Sequence, residues 1–241
     1  MAAHRRQPGG ADGRVREQTG SPPATQCDNR AVTTSTTDPA ATISSTTTET
    51  GPDRSALPAA ATSRAVIDLE AVAHNGRLLA QTAGVPWMAV VKADAYGHGL
   101  GPIALTALSA GASWLGVAQL AEALTLRALL DEAGVARPVE EPSGQAPRVL
   151  SWLLPVMDPA RAACEDSPLR AALKADLDLS VSTLSQLEAL AAAARAQATT
   201  ARLHLKVDTG MSRGGAMAED LPALAAALRR VVDEGAVDVV G

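Results

Sequence analysis

Trp87-Met88-Ala89-Val90-Val91-Lys92-Ala93-Asp94-Ala95-Tyr96-Gly97-His98-Gly99 sets one lysine at the end of five consecutive apolar residues. An apolar run of that length, opened by Pro86 and closed by glycines, reads as a strand buried on both faces, as strands of parallel sheets are. The reading predicts a strand over 88–92 with Lys92 at its C-terminal end. In parallel α/β folds that end carries the chemistry, and an amine partly withdrawn from water there loses its proton more readily and attacks carbonyls. A lysine that only snorkels into solvent from a strand edge is the plainer alternative. Tyr96, four residues on, can return over the strand end as a phenolic donor, while Gly97 and Gly99 let backbone approach a ligand closely.

Working outward, strand and helix patterns alternate. Upstream, Ala65–Leu69 reads as a short strand leading into a helix with Asp68 as N-cap and Gly84 as terminator. Downstream come a helix opened by Pro102 and closed by Gly111, a strand over 113–118, and a helix from Gln119 to Ala133 capped by Gly134. A Pro-rich and Glu-rich loop over 137–147 precedes a third strand over 148–154 and a short helix around 160–164. A fourth strand over 176–181 leads to Thr183 and Gln186, a capping box for a helix reaching Gln197. The fifth strand, 202–207, alternates strictly, with Leu203, Leu205 and Val207 on one side and Arg202, His204 and Lys206 on the other. Pro222 opens a further helix, and Val237–Val240 begins a sixth strand. Six strands joined by helical crossovers imply a parallel sheet. Either an open doubly wound sheet or part of a closed eight-stranded barrel fits that count.

Composition sets the bounds. At 241 residues the chain has room for a sizeable core, and its net charge of -5 gives no electrostatic reason to expect nucleic acid or acidic membrane as partner. Phe is absent and aromatics make up only 2%, so the core must be built from Ala, Leu and Val. Cys27 and Cys164 form no metal-ligand spacing, and His98 and His204 read as a polar cap and a packing residue; no metal is expected. No apolar run approaches the roughly 20 residues that span a bilayer. A cytoplasmic setting is the expectation. Residues 1–62, rich in Thr, Ser and Pro, hold too little apolar surface to offset their chain entropy and are expected to be a disordered tail ahead of one domain over 63–241.

Two strings then narrow the reading. Val90-Val91-Lys92-Ala93-Asp94-Ala95-Tyr96-Gly97-His98-Gly99 and Lys206-Val207-Asp208-Thr209-Gly210-Met211-Ser212-Arg213-Gly214 resemble, in order and separation, the two signatures of alanine racemases. Those enzymes use pyridoxal 5′-phosphate (PLP) on a (β/α)8 barrel. The resemblance covers about residues 64–241 and selects the barrel, here an incomplete (β/α)8 TIM-type barrel. It implies that Lys92 carries PLP covalently and is a catalytic base, that Tyr96 lies by the cofactor phosphate, and that Arg213 contacts both the cofactor's phenolic oxygen and the substrate carboxylate. It also implies that Lys206 is often carbamylated and orients Arg213, since a carbamate turns a cation into an anion able to hold a guanidinium. The full family member is expected to be a homodimer that interconverts L- and D-alanine for peptidoglycan. Inversion requires acid–base groups on two faces. The family's second base is a tyrosine of a C-terminal β-domain from the partner subunit, and the only tyrosine here is Tyr96, so the 241 residues alone are expected to be inactive.

Two other readings stay open. A single-domain, non-catalytic PLP-binding barrel also carries a lysine at its first strand. A truncated fragment without function of its own would expose two unpaired strand edges.

Overall fold

The computed structural model describes residues 65–140 and 145–241, so the expected N-terminal tail and part of the 137–147 loop lie outside the described residues. Six parallel strands, β1 (Met88–Val90), β2 (Trp114–Gln119), β3 (Arg148–Leu153), β4 (Asp178–Val181), β5 (Ala201–Leu205) and β6 (Val237–Val239), stand in the sheet in sequence order. That order decides between the two architectures. A doubly wound sheet reverses its strand order at a switch point, whereas here every crossover steps to the next position, as in a barrel. The fold is an incomplete (β/α)8 TIM-type barrel, its helices packed against one face of the sheet.

The helices are α1 (Leu69–Ala83), α2 (Lys92–Gly97), α3 (Leu100–Ser109), α4 (Leu120–Glu132), α5 (Pro159–Ala163), α6 (Pro168–Lys174), α7 (Leu184–Gln197) and α8 (Leu221–Asp233). Their ends follow local chemistry. The Asp68 carboxylate accepts the Ala71 amide at 3.0 Å, and Gly84 closes α1 in the left-handed region at φ 65°. Thr183 caps α7 by accepting the Gln186 amide at 3.3 Å, and Gln186 returns its side chain to the Ser182 amide at 2.8 Å rather than to Thr183 itself.

Several expected boundaries shift. Residues 65–68 form no strand, because no neighbour among the described residues pairs with them. The helix predicted from Pro102 starts at Leu100, and β4 begins at Asp178 because Asp176, at φ 57°, is still turning. Helix α6 was not foreseen. Its start has a legible signal all the same: Ser167 accepts the Leu169 amide at 3.2 Å, with Pro168 in the first turn.

One face of the sheet meets the helices through Leu115, Val117, Val149, Leu179, Val181 and Leu203, which pack with Leu126, Leu130, Leu187 and Leu190. Helix α7 approaches through alanines: Ala189, Ala191, Ala193 and Ala194 are all buried. With no Phe in the chain, small side chains close the gap between layers.

The opposite face carries charge near the N-terminal ends of the strands. Asp178 is fully buried, and its carboxylate receives Arg202 Nε at 2.6 Å, His204 Nε2 at 3.1 Å and the guanidinium of Arg148. Arg202 also bonds the Asp176 carboxylate and, at 2.7 Å, its carbonyl. Arg148 lies over the Trp114 ring at 4.3 Å, and His204 meets that ring edge-on at 5.4 Å. His204 is therefore the packing residue its position suggested. Burial pushes the Asp178 carboxyl up, but the His204 bond and the Arg202 and Arg148 charges outweigh it and hold the group below the ordinary carboxylate value.

Replacing Asp178 by Asn leaves two half-buried guanidiniums short of their counter-charge, and the expected loss is about 3–5 kcal/mol, read as a lower urea midpoint. Because the folded carboxyl titrates below its unfolded value, the stability it supplies is complete above about pH 4 and is lost as pH falls through the folded value. Stability measured against pH should therefore drop on the acid side in the parent chain and drop less in Asp178→Asn. An identical acid limb in both would show that another group titrates there.

Candidate active site

The residues singled out from the sequence gather where the strands end. β1 stops at Val90, two residues earlier than expected, although the Val91 amide still reaches the Gly116 carbonyl at 2.9 Å. From Lys92 the chain winds the single turn α2, in which Ala93, Asp94, Ala95 and Tyr96 have φ of 53°, 54°, 51° and 61°. Four consecutive L-residues in the left-handed region cost on the order of 1–2 kcal/mol each, so the surroundings must impose the turn. They do so by hydrogen bonds. The Ala95 amide reaches the Val91 carbonyl at 2.9 Å and the Gly99 amide the Asp94 carbonyl at 3.1 Å. Asp94 Oδ1 accepts the Leu100 amide at 2.7 Å, and Glu122 Oε1 accepts the Ala93 amide at 2.7 Å. Ala95 is buried beneath the turn.

This geometry brings Tyr96 back beside Lys92. The lysine Nζ lies 5.9 Å from the centre of the Tyr96 ring, the lysine is half-buried, and Tyr96 is 61% exposed. His98 is exposed and ends the turn through its amide bond to Ala95, at 3.2 Å.

The second string forms a closed loop after β5. Lys206 follows the strand, its amide bonded to the Val181 carbonyl at 2.9 Å, and the loop returns so that the Ala216 amide meets the Lys206 carbonyl at 2.7 Å. Asp208 Oδ1 accepts the Gly210 amide at 2.8 Å and the Ser212 amide at 3.1 Å. These bonds hold the Asp208 carboxyl below the ordinary value. Gly215 sits at φ 130°, and a Cβ there would lie 2.4 Å from the Asp208 nitrogen, so only glycine fits the closure.

Lys206 and Arg213 share this loop without pairing. The Lys206 ammonium donates to the Gly214 carbonyl, Arg213 is exposed, and no hydrogen bond or ion pair among the described residues joins the two side chains. Two cations repel, so an orienting contact between them needs the lysine charge reversed. Among the described residues no group of three or more His, Cys, Asp or Glu is placed to hold a metal.

Sequence reasoning missed Glu122, Asp208 and Gly215. Glu122 stands three residues after Gln119, a capping signal, and Asp208 two before Gly210, an Asx-turn signal. The donor set suits an anionic aldehyde: an amine for the carbonyl carbon, and a phenol and a guanidinium for anionic oxygens.

Residues 67–241 match the family described as Alanine racemase, N-terminal domain. An alanine racemase of Beutenbergia cavernae is 47% identical over 179 residues, covering 74% of this chain and 41% of that protein. The structure of alanine racemase from D-cycloserine-producing Streptomyces lavendulae superposes with a TM-score of 0.61 at 41% identity, covering 73% of this chain and 40% of that one. The alanine racemase of Bartonella henselae with covalently bound pyridoxal phosphate, 26% identical, superposes with a TM-score of 0.53 over 71% of this chain and 42% of that one. The chain thus spans about two fifths of the length of these relatives. On that match the chain belongs to the alanine racemase N-terminal domain family.

Proposed function

We propose that this chain forms the cofactor-bearing part of a PLP-dependent racemase that interconverts L- and D-alanine. One observation carries the reading: the left-handed turn after β1 sets the Lys92 amine and the Tyr96 ring side by side at the strand end, in a chain 47% identical to an alanine racemase. PLP, when bound, supplies an electron sink for the pair left on the substrate Cα once its proton has gone. The chain's own residues have four tasks. Lys92 anchors the cofactor through its amine and, once released, moves the proton at Cα on its own face. Tyr96 donates its phenol to the cofactor's phosphate, which its exposure leaves free to do. Arg213 presents its guanidinium to the substrate carboxylate and the cofactor's phenolic oxygen, a geometry suited to bidentate recognition. Lys206, carbamylated, becomes the anion that holds Arg213 in place.

The proton on the opposite face needs a second group. We place it outside these 241 residues, on a partner subunit, so that the working enzyme is a homodimer acting in the cytoplasm in support of cell-wall precursor synthesis. The match to the racemase family over 67–241 favours this reading over a non-catalytic PLP carrier.

Treatment of the chain with PLP and borohydride, followed by peptide mapping, is expected to label Lys92, and Lys92→Ala to remove the label. Label on Lys174 or Lys206 instead, or on no lysine, would sink the reading. The 241-residue chain alone is expected to leave the optical purity of L-alanine unchanged. Racemisation that disappears in Lys92→Ala would refute the placement of the second base elsewhere.

A further inference from the structure

The backbone beside Lys92 is held by a carboxylate from the next βα unit. Ladder pairing ends with the bond from Val91 to Gly116, and the first amide beyond Lys92, that of Ala93, belongs to a residue already turned left-handed. It donates to Glu122 Oε1 at 2.7 Å, while the other oxygen of the same carboxylate accepts the Gln119 amide at 2.9 Å. Glu122 lies in the first turn of α4, directly after β2. One side chain therefore fastens three things: the turn that carries Lys92, the end of β2 and the start of α4.

Packing holds the turn on one side only, through the buried Ala95. A cavity of about 330 Å³, lined by Val91, Asp94, Leu100, Ala121, Glu122 and Thr125, borders the turn on the Glu122 side. Without the carboxylate the strained turn has room to relax toward right-handed geometry, carrying the lysine with it.

We propose that Glu122 is a positioning residue for Lys92: its carboxylate locks the left-handed turn and so fixes where the lysine amine is presented. The inference rests on the functional reading given to Lys92. Glu122 acts on Lys92 through the Ala93 amide, while its second oxygen ties that contact to the end of β2 at Gln119.

Glu122→Gln tests this, since it removes the charge from both bonds and sets an NH2 donor where one of the two carboxylate oxygens faced an N–H. The 241-residue chain and the variant are each treated with PLP and borohydride, and the rate of labelling at Lys92 is measured together with hydrogen exchange at the Ala93 amide. At least a tenfold slower label and at least tenfold faster exchange are expected in Glu122→Gln. Thr183→Ala, which strips an N-cap from α7, controls for loss of capping elsewhere and is expected to label Lys92 at the parent rate. Parent-rate labelling in Glu122→Gln, or equal slowing in Thr183→Ala, overturns the proposal. If Lys92 takes no label in the parent chain, the functional reading fails instead. Ala93 exchange then judges the clamp alone, and unchanged protection in Glu122→Gln overturns it.

Discussion

Parallel pairing in sequence order is the constraint from which the rest of this molecule follows. Every strand enters the sheet from the same edge and leaves at the other, so segments distant in the chain are delivered to one rim. Lys92 leaves β1 there, and Lys206 leaves β5 there. Neither residue needs to find the other in folding. The crossovers place both, and the loops after the strands are free to take up whatever conformation the site demands.

The two ends of the sheet divide the labour. At the entering ends Asp178 gathers Arg148, Arg202 and His204 on the face away from the helices, and Trp114 closes over the cations. A carboxylate that buried is tolerated only because each oxygen has cationic partners. At the leaving ends the chemistry is different: turns in the left-handed region, amides held by single carboxylates, and side chains left exposed. Rigid charge pairing sits where nothing has to react, and strain sits where a reagent must be presented.

Much of this is legible in the sequence. The caps at Asp68 and Thr183, and the alternation of Leu203 with Arg202 and His204, read correctly because each depends on neighbours in sequence. The apolar run and the end of the fifth strand did not: β1 stops at Val90, itself 41% exposed, and β5 stops at Leu205, leaving Val207 outside the strand and exposed. Residue patterns alone give the number of strands but not their order, so the barrel expected here came from the resemblance of the two motif strings, and the strand order bears it out. The turn after Lys92 is invisible in sequence for another reason: Ala93, Ala95 and Tyr96 have no intrinsic preference for positive φ, and one of the bonds that hold them there comes from Glu122, far along the chain. Asp178 read as an ordinary strand residue, because its burial depends on cations contributed by two other strands. The short helix α6 was overlooked although Ser167 and Pro168 announce it. The pairing expected between Lys206 and Arg213 is a matter of charge state, which a sequence does not write.

Helix α7 lays Ala189, Ala191, Ala193 and Ala194 into the interior, each with little or no exposed surface. Leu187 and Leu190 of the same helix can change rotamer, but these four methyl groups have nothing to swing aside. Any enlargement there must move a whole helix away from its sheet, at about 1–3 kcal/mol for the overpacking alone. Added bulk is therefore costly at those four positions and tolerated at exposed ones of the same helix, such as Ser185 and Ala196.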